Sequence, residues 1–193
     1  MVQIESITTT LNTMSKTLYA LSGSLRENSY NTSLLKAFIE HAPEGVTIEL
    51  LDTHDVPLYN QDHEANMPEA VSSLKEKICS ADGIIIATPE YNRSVPGMLK
   101  NVIDWTSRPY GQNSWKGIPV YVVGASTGPI AAALAQYELK KIMLYLDARV
   151  LGQSEFYLGN ATEKISADGV LTDASTIDHV RSSLETFLAF IDR

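Results

Sequence analysis

Cysteine is almost missing: Cys79 is the single one among 193 residues. No disulfide can close within the chain, which suits a reducing compartment and predicts a cytoplasmic protein. Long apolar runs are missing too, and none approaches the roughly 20 residues of a membrane-spanning helix. Positive charge is scarce, with 15 Lys and Arg against 23 Asp and Glu and a formal net charge of -8. That balance argues against a general affinity for nucleic acid or an anionic membrane. Residues 1–13 lack the basic start and apolar stretch of a secretory signal, and the arginines of a transit peptide. Met14 reads as a natural start just ahead of the first strand pattern. Residues 1–15 are therefore expected to be an N-terminal extension, either dispensable or an arm packing on a neighbouring subunit. Residues 16–193 form one domain, with no repeat or low-complexity linker inside it. At 44% hydrophobic, 20% charged and 8% aromatic residues, the composition is that of a globular chain long enough to bury a core.

Short apolar runs alternate with helical periodicity. Thr17–Leu21 predicts a first strand, Val46–Leu51 a second, and Gly83–Thr88 a third whose continuous apolar run suits burial on both faces. Val120–Val123, opened by Pro119, predicts a fourth strand and Arg149–Tyr157 a fifth. Between them, Leu34, Leu35, Phe38 and Ile39 share one helical face, and Val71, Leu74, Ile78 and Ala81 another. Met98, Leu99, Val102 and Ile103 mark a third helix, Ala131–Leu146 a fourth, and Ile177, Val180, Leu184, Phe187, Leu188 and Ile191 a closing one. Residues 52–66 are polar and turn-rich. Five strands separated by helices imply an α/β fold with a parallel sheet covered on both sides. Such sheets bind ligands beyond the carboxyl ends of their strands, so the loops there carry the interest.

Three loops qualify. Ser22–Asn31 joins a strand to a helix N-terminus, whose free amides and partial positive charge favour a phosphate. Ser24, Ser29 and Asn31 add side-chain donors, and Arg26 a charge-assisted contact. Neither a Gly-Lys-Ser/Thr ending nor Gly-x-Gly-x-x-Gly is present, so a single phosphomonoester fits better than a triphosphate or dinucleotide. Helix capping is the other reading of the same residues. Thr88–Gly97 is stiffened by Pro89 and Pro96. A stiff loop presents peptide donors and acceptors at fixed positions, as the edge of a flavin ring requires, with Tyr91 available to lie against the ring. It also reads simply as a rigid turn. Gly124–Pro129 is built of small residues; it reads either as an ordinary turn after a strand or as successive amides facing negative charge on a reduced flavin.

These loops, with Ser94, Pro96, Gly97 and Lys100-Asn101 through Asp104-Trp105, resemble the NADPH-dependent FMN reductase family, which includes bacterial quinone and chromate reductases and azoreductase-like enzymes. The likeness runs from about Lys16 to Tyr157. It implies a flavodoxin-like, doubly wound five-stranded parallel sheet of order 2-1-3-4-5, bound FMN, NADPH or NADH as hydride donor, and a homodimer or homotetramer. It further implies that Ser24, Arg26, Ser29 and Asn31 hold the phosphate, and that Pro89, Glu90, Tyr91, Asn92 and Ser126 surround the ring. Arg149 and Glu155 resemble positions that some relatives use in tetramer contacts.

On this reading the cofactor performs the redox step and no side-chain nucleophile is needed. Hydride passes from NAD(P)H to FMN and on to a small acceptor in a ping-pong cycle. The acceptor is a quinone, azo compound, nitroaromatic, metal oxyanion or free flavin. Some of Arg26, Arg93, Lys100 and Arg108 are candidates to attract the phosphates of the nicotinamide cofactor, with solvated surface charge as the other reading. A flavodoxin-type electron carrier and a non-catalytic flavin-binding regulatory module are the alternatives. Cys79 is expected to be a buried structural thiol, and His41, His54, His63 and His179 lack metal-ligand spacing. Tyr110 and Trp115 border either a substrate entrance or a turn anchored by aromatics.

Overall fold

The computed structural model describes residues 15–193; the expected extension, but for Ser15, lies outside them, as does the proposed arm. Strand β1 (Lys16–Ser22) runs into helix α1 (Tyr30–Glu40), which Ser29 caps by accepting from the Thr32 amide. The chain turns at Gly45 (φ 81°) into β2 (Val46–Leu50). The polar stretch that follows holds a short 3-10 helix, Gln61–Asn66, before α2 (Glu69–Ser80). Then come β3 (Gly83–Ala87), α3 (Gly97–Thr106), β4 (Pro119–Ala125) and α4 (Ala133–Tyr145). Two short strands, β5 (Arg149–Val150) and β6 (Phe156–Leu158), the single turn α5 (Ala161–Lys164) and the long α6 (Ala174–Ile191) complete the chain.

All strand pairings are parallel, in the order β2-β1-β3-β4-β5, with β6 also on β4. This is the flavodoxin-like α/β arrangement expected. Every residue of β3 is buried, as a central strand covered on both faces must be. Its side chains alternate between two cores. Ile85 faces Leu34, Phe38, Phe156 and Phe187 on the side of α1 and α6. Ile84 and Ile86 face Leu74, Ile78, Ile103, Leu139 and Met143 on the side of α2, α3 and α4. Each fully buried aliphatic side chain contributes about 1.5–3 kcal/mol, so the two layers hold the sheet from both sides.

Two expectations change. The fifth strand is not continuous: Val150 pairs with Val120 and Phe156 with Val123, so three steps along β4 oppose six along its neighbour. Three surplus residues cannot stay in register, and Leu151–Glu155 loops out between β5 and β6. Cys79 is exposed rather than buried. Val71, Leu74 and Ile78 make the buried face of α2, and the residue after Ile78 is turned about 100° away from it. Ala81, expected on that face, is the residue at which the helix has already ended.

Candidate functional site

The carboxyl ends of β1, β3 and β4 lie side by side, and backbone hydrogen bonds continue past the last strand residue of each. Gly23 N donates to Ala87 O (2.7 Å), Thr88 N to Val123 O (3.0 Å) and Ser126 N to Leu158 O (3.0 Å). The three loops singled out above therefore leave from one rigid edge. Two glycines make that closeness possible. A Cβ on Gly23 would sit 3.1 Å from Ala87 O, Pro89 Cδ and Leu99 Cδ2. One on Gly124 would meet Thr88 O at 2.9 Å and Gln136 Nε2 at 2.6 Å.

In the first loop, Ser24 donates its amide to Ser22 Oγ (3.3 Å) and accepts from Arg26 N (3.3 Å) at its own hydroxyl. Ser22 and Thr32 share a hydroxyl hydrogen bond of 2.8 Å across the loop. Ser29 is buried as the helix cap, its Oγ 3.4 Å from Thr32 N. Tyr30 and Asn31 occupy the first helical turn, where amides have no intrahelical acceptor. Arg26 is exposed; it donates back to Asn28 O and lies 5.6 Å from the centre of the Tyr30 ring. Asn31 is 3% exposed, and both ends of its amide are engaged: Nδ2 donates to Ala125 O (3.1 Å), and Oδ1 accepts from Ala125 N (2.9 Å). Its side chain thus braces the first loop against the third. A cleft of about 250 Å³ borders this loop, walled by Ser22, Ser24, Arg26 and Thr32 and, from beyond β2, Leu51 and His54.

The second loop makes a two-residue turn. Tyr91 N donates to Ser94 O (3.2 Å) and Ser94 N to Tyr91 O (3.1 Å), while Asn92 (φ 52°) and Arg93 (φ 65°) are both left-handed. Positive φ at both central positions is the hairpin geometry that matches strand twist. Pro89 is buried and Tyr91 is 52% exposed, with its ring free to face a ligand. The Glu90 side chain turns away to α4, accepting from Leu134 N (3.0 Å) and Ala135 N (3.3 Å).

The third loop offers fewer free amides than expected. Ala125 N is spent on Asn31, Ser126 N on Leu158 O, and Gly128 N on Ser126 Oγ (3.2 Å). A run of successive amides facing negative charge is therefore not available here. Ser126 is half-buried at the mouth of the loop. Ala131 (φ 54°) and Ala132 (φ 59°) bring the chain into α4 in a left-handed conformation.

Of the four cations proposed to attract a phosphate-bearing donor, three are paired with a carboxylate of the chain. Lys100 pairs with Asp104 at 2.6 Å one turn along α3, and Arg108 Nε with Glu64 at 2.6 Å. Bonds from Tyr59 and Arg108 hold the Glu64 carboxyl below its ordinary range. Arg93, 3.3 Å from Glu90 and 70% exposed, and Arg26 keep their guanidinium groups toward solvent. Arg149 and Glu155 find partners within the chain. Arg149 donates to Phe190 O (2.9 Å), and Glu155 accepts from the buried Lys140 at 2.8 Å. That Lys140 bond holds the Glu155 carboxyl low, while burial, reinforced by Glu155, pushes the Tyr157 phenol well up. Trp115 is buried and donates to Thr106 Oγ1 (2.9 Å) while Tyr110 is 92% exposed, an aromatic-anchored turn. Among the described residues no group of three or more His, Cys, Asp or Glu is arranged to hold a metal, and no helix is long and apolar enough to cross a membrane.

Sequence reasoning missed Glu138, which accepts from Ser94 Oγ, and Gln136, buried beneath Gly124. Ser94 and Glu138 are 44 positions apart, and no local pattern marks the pair. The donors present suit a mononucleotide with a flat ring. Hydroxyls and a helix N-terminus are groups that favour an anion, stiff peptide and an exposed tyrosine are groups that suit a flat ring, and glycine at 23 and 124 lets the backbones of this edge approach closely.

Residues 17–163 match the family described as NADPH-dependent FMN reductase. A 2-hydroxy-1,4-benzoquinone reductase of Burkholderia sp is 38% identical over 169 residues, covering 88% of this chain and 92% of that one. A quinone reductase of Escherichia coli strain K12 is 41% identical over 177 residues, covering 90% and 94% respectively. Among solved structures, FerB of Paracoccus denitrificans, a flavoenzyme NAD(P)H:(acceptor) oxidoreductase, superposes with a TM-score of 0.85 at 43% identity, over 92% of this chain and 97% of that one.

Proposed function

Because the chain belongs to the NADPH-dependent FMN reductase family, we propose that the edge built by its first three loops is where it holds FMN. Ser24, Arg26, Ser29 and, through its backbone amide, Asn31 gather about the phosphate, and Pro89, the backbone of Glu90, Tyr91, Asn92 and Ser126 gather about the ring. One observation carries this assignment above the others. The loops after β1, β3 and β4 are laced by backbone bonds of 2.7 and 3.0 Å into a single edge, with Gly23 and Gly124 at two of its close approaches.

The protein is an NAD(P)H oxidoreductase. FMN, when bound, would supply the redox chemistry that links NADPH or NADH as hydride donor to a small acceptor such as a quinone. The chain's own residues bind, orient and exclude. Free first-turn amides and the partial positive charge of α1 favour the dianionic phosphate, while Ser29 holds the turn in place through Thr32. Asn31 orients the phosphate loop relative to the third loop through Ala125. Pro89 stiffens the ring-facing peptides. Exposed Arg93 and Arg26 attract the phosphates of the nicotinamide donor electrostatically, against an acidic background of net charge -8.

Anaerobic rapid mixing of the purified yellow protein with NADPH and, separately, NADH tests this reading. Bleaching of the flavin absorbance followed by reoxidation with a quinone is the expected outcome. Colourless protein that takes up no FMN removes the reading altogether. Bleaching that fails with both donors favours an electron carrier or a regulatory module instead. A homodimer or homotetramer in a cytoplasmic setting belongs to the same proposal, and light scattering measures the subunit count.

A further inference from the structure

We propose that Glu90 positions and tunes the flavin site. Its carboxylate caps the N-terminus of α4 from the neighbouring loop, holding the second and third loops as one body and placing a fixed negative charge beside them. The inference rests on the FMN reading above, which uses this residue only through its backbone.

Helix α4 has no cap of its own. Its N-cap position is Ala132, left-handed at φ 59° and without a side-chain acceptor. First-turn amides then need a partner from elsewhere. Glu90 supplies it across 44 and 45 positions of sequence, with Oε2 3.0 Å from Leu134 N and 3.3 Å from Ala135 N. The carboxylate is 12% exposed. Burying such a charge is costly unless it is well paired, and here two amides, the helix's partial positive charge and Arg93 at 3.3 Å all face it. One helical turn further along, Ser94 Oγ donates to Glu138. The second loop is thus fastened to α4 at two points, Leu134 with Ala135 and then Glu138.

Between those fastenings lies the turn with Asn92 and Arg93 both left-handed. Strained backbone of this kind persists where the surroundings over-determine it. The fastening therefore does more than finish a helix, because it fixes the peptides of residues 89–92 relative to residues 126–132. Its charge has a separate consequence: a fixed negative charge carried by the loop proposed to rim the flavin would oppose the arrival of electrons. A cap with a purely local role would change the melting temperature and leave the potential of bound flavin unmoved.

The test compares wild type, Glu90→Gln and Glu90→Ala by FMN affinity of the apoprotein, read from flavin fluorescence, and by redox titration of the bound flavin. Glu90→Gln keeps an oxygen for the α4 amides and discards the charge. Its affinity is expected within about twofold of wild type. Its flavin is expected to be about tenfold easier to reduce, about 30 mV upward for a two-electron couple. Glu90→Ala discards both and is expected to bind FMN at least about tenfold more weakly. If it folds poorly, Ser94→Ala replaces it, opening the second fastening with the Glu90 charge in place; the affinity is then expected to fall at unchanged potential. A Glu90→Gln potential equal to wild type overturns the inference, as does full affinity in the alanine variants. Wild-type protein that binds no FMN is a different failure and removes the underlying reading.

Discussion

Arg93 sits where only a few residue types are comfortable. Left-handed backbone costs a residue with a Cβ about 1–2 kcal/mol, and glycine avoids that cost while giving part of it back as lost chain entropy. Arg93→Gly is therefore expected to stabilise the fold by about 0.5 kcal/mol, raising Tm by about 1–2 °C, and at the same time to raise KM for the nicotinamide donor. A lower Tm would show that the arginine contributes more than the strain removes, and an unchanged KM would take it out of donor binding. Asn31 makes the opposite case. Its sequence position beside Ser29 points to the phosphate, yet its amide is paired at both ends with Ala125. Asn31→Ala strands a buried N–H and a buried C=O, which costs about 2 kcal/mol and lowers Tm by about 4–8 °C in a chain of this length. A loss of FMN affinity with no change in Tm would instead return the side chain to direct phosphate binding. Periodicity could not have distinguished these two roles, because the partner of Asn31 is 94 positions away.

Helices and strands were legible wherever their pattern is local. The five buried residues of β3 and the faces of α1 and α6 follow from residue order alone. The fifth strand was not, because nothing in Arg149–Tyr157 records that its partner is three residues shorter. Caps divide the same way. Asp173 precedes α6 and accepts from Thr176 N (2.8 Å) and Thr176 Oγ1 (2.6 Å), a local device readable three residues apart. The α4 cap arrives from another loop. Hydrogen bonds from Thr176 hold the Asp173 carboxyl below its ordinary 3.8. A depressed folded-state pKa means the contribution is complete above that ordinary value and disappears as pH falls through the lowered one. Asp173→Ala is thus expected to melt earlier than wild type at neutral pH, with the two melting curves converging in strong acid. A gap that persists in strong acid would show that the carboxylate's charge is not what the cap uses.

The loops proposed to hold FMN all leave one edge of the sheet that both cores support, so ligand is expected to report on global stability. FMN that binds only the folded chain stabilises it by about 2.7 kcal/mol at a hundredfold excess over Kd. Thermal melts across an FMN series are expected to rise accordingly, and riboflavin, which lacks the phosphate, to produce a smaller rise. Equal shifts from the two would remove the phosphate role of Ser24, Arg26, Ser29 and the α1 amides. Residue order by itself determined the alternation of strands and helices and the small-residue and proline-stiffened loops that follow the strands, since each depends on neighbours a few positions apart. Only the tertiary structure decided which side chains fasten the loops: Asn31 to Ala125, Glu90 to α4, Ser94 to Glu138. Those choices depend on hydrogen-bond partners brought together from 44 to 94 positions apart, a distance that no local pattern encodes.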